Sequence, residues 1–203
     1  MKILHIDSSI LGDNSVSRTL SADIVKAIKV QNDSAEIIRR NLAETPLGHL
    51  SGAHVMASQG HEPESEEIKS DIAAGGAALD EFMSADTIVI GAPMYNFAIP
   101  SQLKAWIDRV CVAGKTFRYT ENGSEGLSGD KKVIVAISRG GFYGEGTALI
   151  DFEHQESHLR VVFKFLGISD VTFIRAEGVS LGQEQREKAI NDARDVIKDL
   201  IAD

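Results

Sequence analysis

The chain has 203 residues, 43% hydrophobic and 25% charged, with 21 Lys and Arg against 30 Asp and Glu and a formal net charge of −9. That composition excludes disordered and fibrous chains, and the acidic balance excludes sequence-independent nucleic-acid binding, which needs clustered cations to displace counterions. No apolar run approaches the ~18 residues that span a bilayer, and the single cysteine, Cys111, excludes a disulfide framework or a cysteine-rich zinc site.

In chain order, Met1 leads straight into a β-branched run, without the basic and apolar regions of a signal peptide, so a cytoplasmic protein is expected. The first strand is read over 3–7, followed by a Ser/Gly/Asp loop over 8–15. Leu20, Ile24, Ala27 and Ile28 then fall on one helical face. A second strand over 36–40 carries charges that predict an edge position. Residues 45–63 are rich in Gly, His and Ser without a clear period, which predicts a long mobile loop of the kind that usually has a function. A second helix runs from about 64 to 83 in spite of Gly75 and Gly76, each costing about 1 kcal/mol relative to Ala.

Thr87-Ile88-Val89-Ile90 has no polar alternation after Thr87, the mark of a strand buried on both faces in a parallel sheet. The third helix starts near Pro100 and shows the stripe Leu103, Trp106, Ile107, Val110 and Cys111. A polar insertion over 117–123 contains the hairpin signal Asn122-Gly123. Strand four is read over 133–137 and strand five over 171–174. The helix between them carries Leu159, Val162, Phe163 and Leu166, and the last helix carries Ile190, Ala193, Ile197, Leu200 and Ile201.

Five strands alternating with five helices predict one α/β domain over residues 1–203, a three-layer doubly wound fold around a five-stranded parallel sheet with right-handed crossovers. In such sheets the ligand lies beyond the carboxyl ends of the strands at the switch point. The loops after strands one, three and four are therefore the candidate site.

The first of these loops contains no G-x-G-x-x-G turn and no G-x-x-x-x-G-K-[ST] loop, and neither pattern occurs elsewhere in the chain. Instead Ser9, Ser15 and Ser17 bring hydroxyls to the start of a helix, where free N–H groups and the helix dipole already favour an anion. Hydrogen bonds to a charged group contribute about 1.5–3 kcal/mol each, enough for three hydroxyls to hold a monophosphate without a lysine. The competing reading makes Ser15 an N-cap and leaves the others solvated. After strand three, Met94, Tyr95 and Phe97 are placed to lie against a planar ligand, or to cap the core. After strand four, Ser138-Arg139-Gly140-Gly141 offers paired glycines that let backbone approach a flat ring, or simply make a turn.

Together with segments 100–108, 113–123 and 165–178, these loops resemble the FMN-dependent NADH-azoreductase family, whose members also act as quinone reductases within the flavodoxin-like group. The match covers nearly the whole chain, and the run from Gly114 to Gly123 is long and unusual. The resemblance implies a sheet ordered 2-1-3-4-5 and a homodimer with one FMN per subunit near the interface. By position it implies a phosphate loop of Ser9, Ser15, Val16 and Ser17. It further implies a flavin-ring loop of Met94, Tyr95, Asn96 and Phe97, partnered by Ser138, Arg139, Gly140 and Gly141. Tyr119 and Phe165 match substrate-pocket positions contributed by the opposite subunit. Ser124, Val112, His158 and Lys164 stand where the family commonly has Pro, Arg, Tyr and Gly, which bears on acceptor preference and the interface.

The implied activity is transfer of hydride from NADH, through FMN, to quinones by two electrons and to azo bonds, which are cleaved to amines. Protection against electrophilic quinones is a consistent role. The cofactor carries the hard chemistry, so no residue is assigned as acid, base or nucleophile. Three rivals are weaker. There is no G-x-S-x-G elbow for hydrolysis. His154 and His158 lack a third zinc ligand and read as a solvated face, as Cys111 reads as a core residue. A flavodoxin-type electron carrier would not need the long segments around 45–63 and 114–128.

Overall fold

The computed structural model describes residues 1–63 and 65–202, with side chains described as far as residue 200. Five parallel strands form the sheet: β1 (Lys2–Asp7), β2 (Glu36–Asn41), β3 (Thr87–Pro93), β6 (Lys132–Ser138) and β7 (Asp170–Ala176). Their order is β2-β1-β3-β6-β7, which is the expected 2-1-3-4-5 once a two-stranded antiparallel hairpin, β4 (Phe117–Thr120) and β5 (Gly123–Gly126), is set aside. The charged strand β2 does lie at the edge. β3 is buried along its whole length between β1 and β6, as an apolar strand without alternation must be. The order reverses between β1 and β3, paired from Ile3↔Thr87 to Asp7↔Gly91, so their carboxyl ends frame the switch point.

Alternate strand residues feed two separate cores, because successive side chains point to opposite faces. Leu4, Ile6, Ile88, Ile90, Val133 and Val135 pack with residues of α3 (Glu66–Ser84), α4 (Ser101–Val110) and α5 (Glu156–Phe165). Ile3, Val89, Ile134 and Ala136 pack with α1 (Val16–Gln31) and α6 (Gln183–Ala202). The predicted stripe of the third helix is buried from Leu103 to Val110. Cys111 closes that helix and is only half-buried; desolvation pushes its thiol up to about 11, so it is inert as a nucleophile. The hairpin turns at Glu121 and Asn122, and Gly123 opens β5 at a φ of 113°.

The expected mobile loop over 45–63 is corrected: it contains a helix, α2 (Gly52–Ser58), fastened to the body of the protein. His54 Nε2 lies 2.7 Å from Asp71 Oδ2, and the Ser51 N–H donates to His54 Nδ1 at 3.1 Å. Gly48 N–H donates to Asp71 Oδ1 at 2.8 Å, and Arg109 Nη1 donates to Asp71 Oδ2 at 2.7 Å. Burial opposes ionisation of Asp71, but these bonds outweigh it and hold the carboxyl below its ordinary range. A seven-residue helix has too little periodicity to be read in sequence. The next helix begins at Glu66; its expected start at Glu64 lies outside the described residues, as does the side chain of Ile201.

The two glycines of α3 are not equivalent. A Cβ on Gly76 would meet nothing within 4 Å, whereas one on Gly75 would collide with the buried Arg109 guanidinium. Gly76→Ala should therefore raise the unfolding free energy by about 1 kcal/mol, and Gly75→Ala should lower it by dislodging Arg109 from Asp71. Urea denaturation of the two variants measures both, and equal effects would contradict this packing.

Candidate functional site

β1 ends at Asp7 and the chain turns at Ser8, whose Oγ donates to the Gly91 carbonyl at 2.7 Å and ties the first loop to β3. Ser15 caps α1, accepting the Arg18 N–H at 3.2 Å, so the capping role is real. It is not the whole role: Ser17 Oγ lies 3.1 Å from Ser15 Oγ, and both residues are almost fully buried. The N–H groups of Val16 and Ser17 belong to the first helical turn, which leaves them without an intrahelical acceptor. Two neighbouring hydroxyls and the free amides of a first helical turn are thus donors of the kind that suits a phosphate-sized anion. One turn further along α1, Ser21 donates its hydroxyl to Asp7 at 2.9 Å, and Asp7 lies 3.9 Å from Arg18 Nε. His5, bonded to Ser21 at 2.9 Å, has its pKa lowered, burial foremost, and is neutral there. Ser9 reaches the third loop. Its Oγ is 3.3 Å from Tyr95 Oη and accepts the Leu11 N–H, while Ile10 N–H donates to the same phenol at 3.2 Å. Tyr95 therefore bridges the first and third loops.

After β3, Met94 N–H donates to the Ser138 carbonyl at 2.8 Å, placing the third loop beside the fourth. Tyr95 and Ala98 exchange two backbone bonds, of 2.9 and 3.1 Å, around a tight turn in which Asn96 has a φ of 46° and Phe97 a φ of 73°. Both central residues are left-handed, the turn chemistry that usually selects glycine, at about 1–2 kcal/mol per non-glycine residue. Such conformations persist only where the surroundings over-determine them. The Phe97 ring packs against Tyr143 and Phe152 at 6.3 and 5.3 Å, and its carbonyl accepts the His154 N–H at 3.0 Å.

The fourth loop is held from behind. The carbonyls of Arg139, Gly140 and Gly141 accept the N–H groups of Val179, Ser180 and Gly178 at 3.1, 3.1 and 2.9 Å. A Cβ on Gly140 would lie 3.0 Å from Ser180 Oγ, and one on Gly141 would lie 3.3 Å from the Tyr143 ring. Within the protein itself, the missing side chains at both positions make room for Ser180 and Tyr143. The Arg139 side chain is 1% exposed and turned into a cluster of Glu153, Glu156, Glu177 and Gln155. Burial opposes ionisation of Glu156, but Arg175 and Arg160 outweigh it and hold its carboxyl low.

A cavity of about 1020 Å³ opens beside the strained turn, lined by Ile10, Tyr95, Asn96, Ile99, Gln102, Lys104, His154 and His158, among others. His154 and His158 both border this cavity, His154 exposed and His158 half-buried, so the solvated-face reading holds for His154 and is corrected for His158. His154 precedes α5, so the two do not share a helix, and no metal-holding group of three or more His, Cys, Asp or Glu occurs among the described residues. Desolvation foremost, then Lys104, lowers the His158 pKa. The sequence singles out both histidines but not their place at the cavity, although the signal exists: in a parallel sheet, helices α4 and α5 begin at the same end as the candidate loops. Tyr119 and Phe165 do not line this cavity. They flank Phe117, at 5.4 and 4.5 Å, in an aromatic cluster where the hairpin meets α5, and Tyr119 is 75% exposed.

A family model described as flavodoxin-like fold matches residues 1–201. Among curated relatives, the FMN-dependent NADH:quinone oxidoreductase 2 of Bradyrhizobium diazoefficiens is 57% identical over 190 residues, 94% of each chain. The FMN-dependent NADH:quinone oxidoreductase of Sinorhizobium fredii is 56% identical over 97% of this chain and 95% of its own. Among solved structures, an azoreductase from Bacillus anthracis superposes with a TM-score of 0.87 at 26% identity, over 99% of this chain and 98% of that one. An FMN-dependent NADH-azoreductase from another strain of that species, in complex with FMN, gives 0.86 at 28%, over 98% and 99%.

The turn at Asn96 and Phe97 can be probed without any ligand. Phe97→Gly and Phe97→Ala both remove the ring, but only glycine adopts a positive φ freely. The glycine variant should be the more stable by about 1 kcal/mol in chemical denaturation; equal stabilities would mean that the turn relaxes once the ring is gone.

Proposed function

We propose that this protein, which belongs to the flavodoxin-like fold family, is an FMN-dependent oxidoreductase that takes hydride from NADH, reduces quinones by two electrons and cleaves aromatic azo bonds to amines. The observation that carries the cofactor assignment is the buried Ser15–Ser17 hydroxyl pair beside two orphan amides, joined through Ile10 and Tyr95 to a cavity large enough for a tricyclic ring. The residues present fit the group. Ser9, Ser15, Val16 and Ser17 would hold its phosphate. Met94, Tyr95, Asn96 and Phe97 would hold the ring, with Ser138, Gly140, Gly141 and the backbone of Arg139 behind them. FMN, when bound, supplies the two-electron chemistry. The chain's own work is to orient and exclude water: Tyr95 ties the first loop to the ring loop, and the strained turn presents Tyr95 and Asn96 to the cavity.

A three-layer frame over residues 1–203 as one domain belongs to the same proposal, supported by the two cores that alternate strand residues feed. So does a homodimer, since Tyr119 and Phe165 lie away from the cavity of their own chain and would complete that of the partner. A cytoplasmic location suits a reaction that draws on reduced nicotinamide. The cavity also favours an enzyme over a simple electron carrier, which needs only an exposed ring edge. His158, one of the four departures from the family pattern, stands in the cavity wall and is placed to bias which acceptors enter.

Three measurements test this reading. FMN should bind near stoichiometrically and FAD much more weakly, and Ser17→Ala should weaken FMN by about 1.5–3 kcal/mol, a loss of tenfold or more; unchanged affinity would put the phosphate elsewhere. Light scattering should give twice the monomer mass, and a fully active monomer would refute a shared site. Because the chain offers one cradle and one adjoining cavity, donor and acceptor must alternate. Initial-rate plots should be parallel, with one NADH consumed per quinone and two per azo bond, whose cleavage needs four electrons. Intersecting lines would require a separate nicotinamide site.

A further inference from the structure

We propose that Arg139 is a positioning residue that locks the third and fourth loops together from inside the protein without touching any ligand. The inference rests on the proposed flavin site only for what the loops hold; the lock itself is a property of this chain. Arg139 leaves the end of β6 and spends its guanidinium entirely on protein. Nε donates to Gln155 Oε1 at 3.1 Å, Nη1 to Glu177 Oε1 at 3.0 Å, and Nη2 to Glu153 Oε1 at 3.0 Å and Glu156 Oε2 at 3.4 Å. It is absent from the wall of the large cavity.

Three of these four partners, Gln155, Glu153 and Glu177, in turn hold different pieces of backbone. Gln155 Nε2 donates to the Ala92 carbonyl at 2.8 Å, two residues before the ring loop opens at Met94. Glu153 accepts the N–H groups of Gln155, Glu156 and Ser157 at 2.8, 2.7 and 3.1 Å, which fixes the start of α5. Within that start, His154 N–H donates to the carbonyl of Phe97, the strained residue of the turn. Glu177 accepts the Tyr143 N–H at 2.9 Å, and the Tyr143 ring packs on Phe97. Three routes therefore run from one guanidinium to one turn.

Stability alone does not explain this arrangement. Arg139, Arg160 and Arg175 balance Glu153, Glu156 and Glu177, and desolvating such a cluster offsets much of its Coulombic gain. What apolar residues of the same volume cannot supply is direction. A planar fork with fixed donor angles sets the relative phase of several acceptors, whereas a lysine ammonium is a point charge that reaches fewer of them. The lock is the counter-force that keeps Asn96 and Phe97 left-handed.

The test compares Arg139→Lys, which keeps the buried charge, with Arg160→Met, which removes a half-exposed member of the same cluster that contacts neither loop. In the protein without flavin, hydrogen exchange over 92–98 and 153–157 should rise together in Arg139→Lys, while thermal unfolding falls no more than in Arg160→Met, whose exchange there stays at the wild-type level. Riboflavin, which lacks the phosphate, separates ring from cradle. Arg139→Lys should raise the dissociation constants of riboflavin and FMN by the same factor, tenfold or more, whereas Ser17→Ala should affect FMN alone. Should Arg139→Lys not fold, Glu177→Gln takes its place, with the same pattern at a smaller amplitude. Unchanged exchange in both segments, or a loss confined to FMN, would overturn the proposal. A wild-type protein that binds no flavin would remove the proposed function while the exchange result still decides the lock.

Discussion

Parallel pairing is the constraint from which the rest follows. Five strands hydrogen-bonded in the same direction must all end at one edge, and each needs a crossover to return. Every loop that follows a strand therefore faces the same side, and every helix that follows such a loop begins there. The reversal between β1 and β3 leaves a gap at that edge where no helix crosses. The serine cradle, the Asn96–Phe97 turn, the glycine loop and the first turns of α4 and α5 meet there because pairing leaves them no other place.

Against that frame, the legible and illegible parts of the sequence divide by physics. Strands such as β3 and helices such as α4 were legible because burial imposes a period or a continuous apolar run, and the charges of β2 marked the edge. The short α2 was not, since its stability comes from Asp71 accepting bonds from Gly48, His54 and Arg109, a tertiary arrangement with no local pattern. Ser15 and Ser17 were legible as hydroxyls at a helix start, but the pairing of Ser9 with Tyr95 depends on a contact across 86 residues of chain. The left-handed pair at Asn96 and Phe97 runs against local preference, and sequence reasoning fails at such places because the surroundings outvote the residue. Arg139 shows the same limit: its position in the loop was readable, the inward turn of its side chain was not.

The proposed cradle would be an unusual electrostatic solution for a chain of net charge −9. An anion site made of hydroxyls and amides needs no lysine that could be titrated or modified, and its donors are fixed by helix geometry before any ligand arrives. The nearby carboxylate of Asp7, bonded to Ser21 and 3.9 Å from Arg18, adds a negative charge to the same stretch of chain.

The bond from Ser8 to the Gly91 carbonyl, spanning 83 residues, has a bearing on how the molecule comes into being. During synthesis the serines of α1 emerge early, yet their floor is β3, and the turn that adjoins them is braced by α5 still later in the chain. No fragment that stops short of α5 contains the serines with all of these surroundings. A growing chain therefore carries an unformed site until its last strands have paired, and the slow, long-range step of laying β3 beside β1 is also the step that creates the capacity to bind.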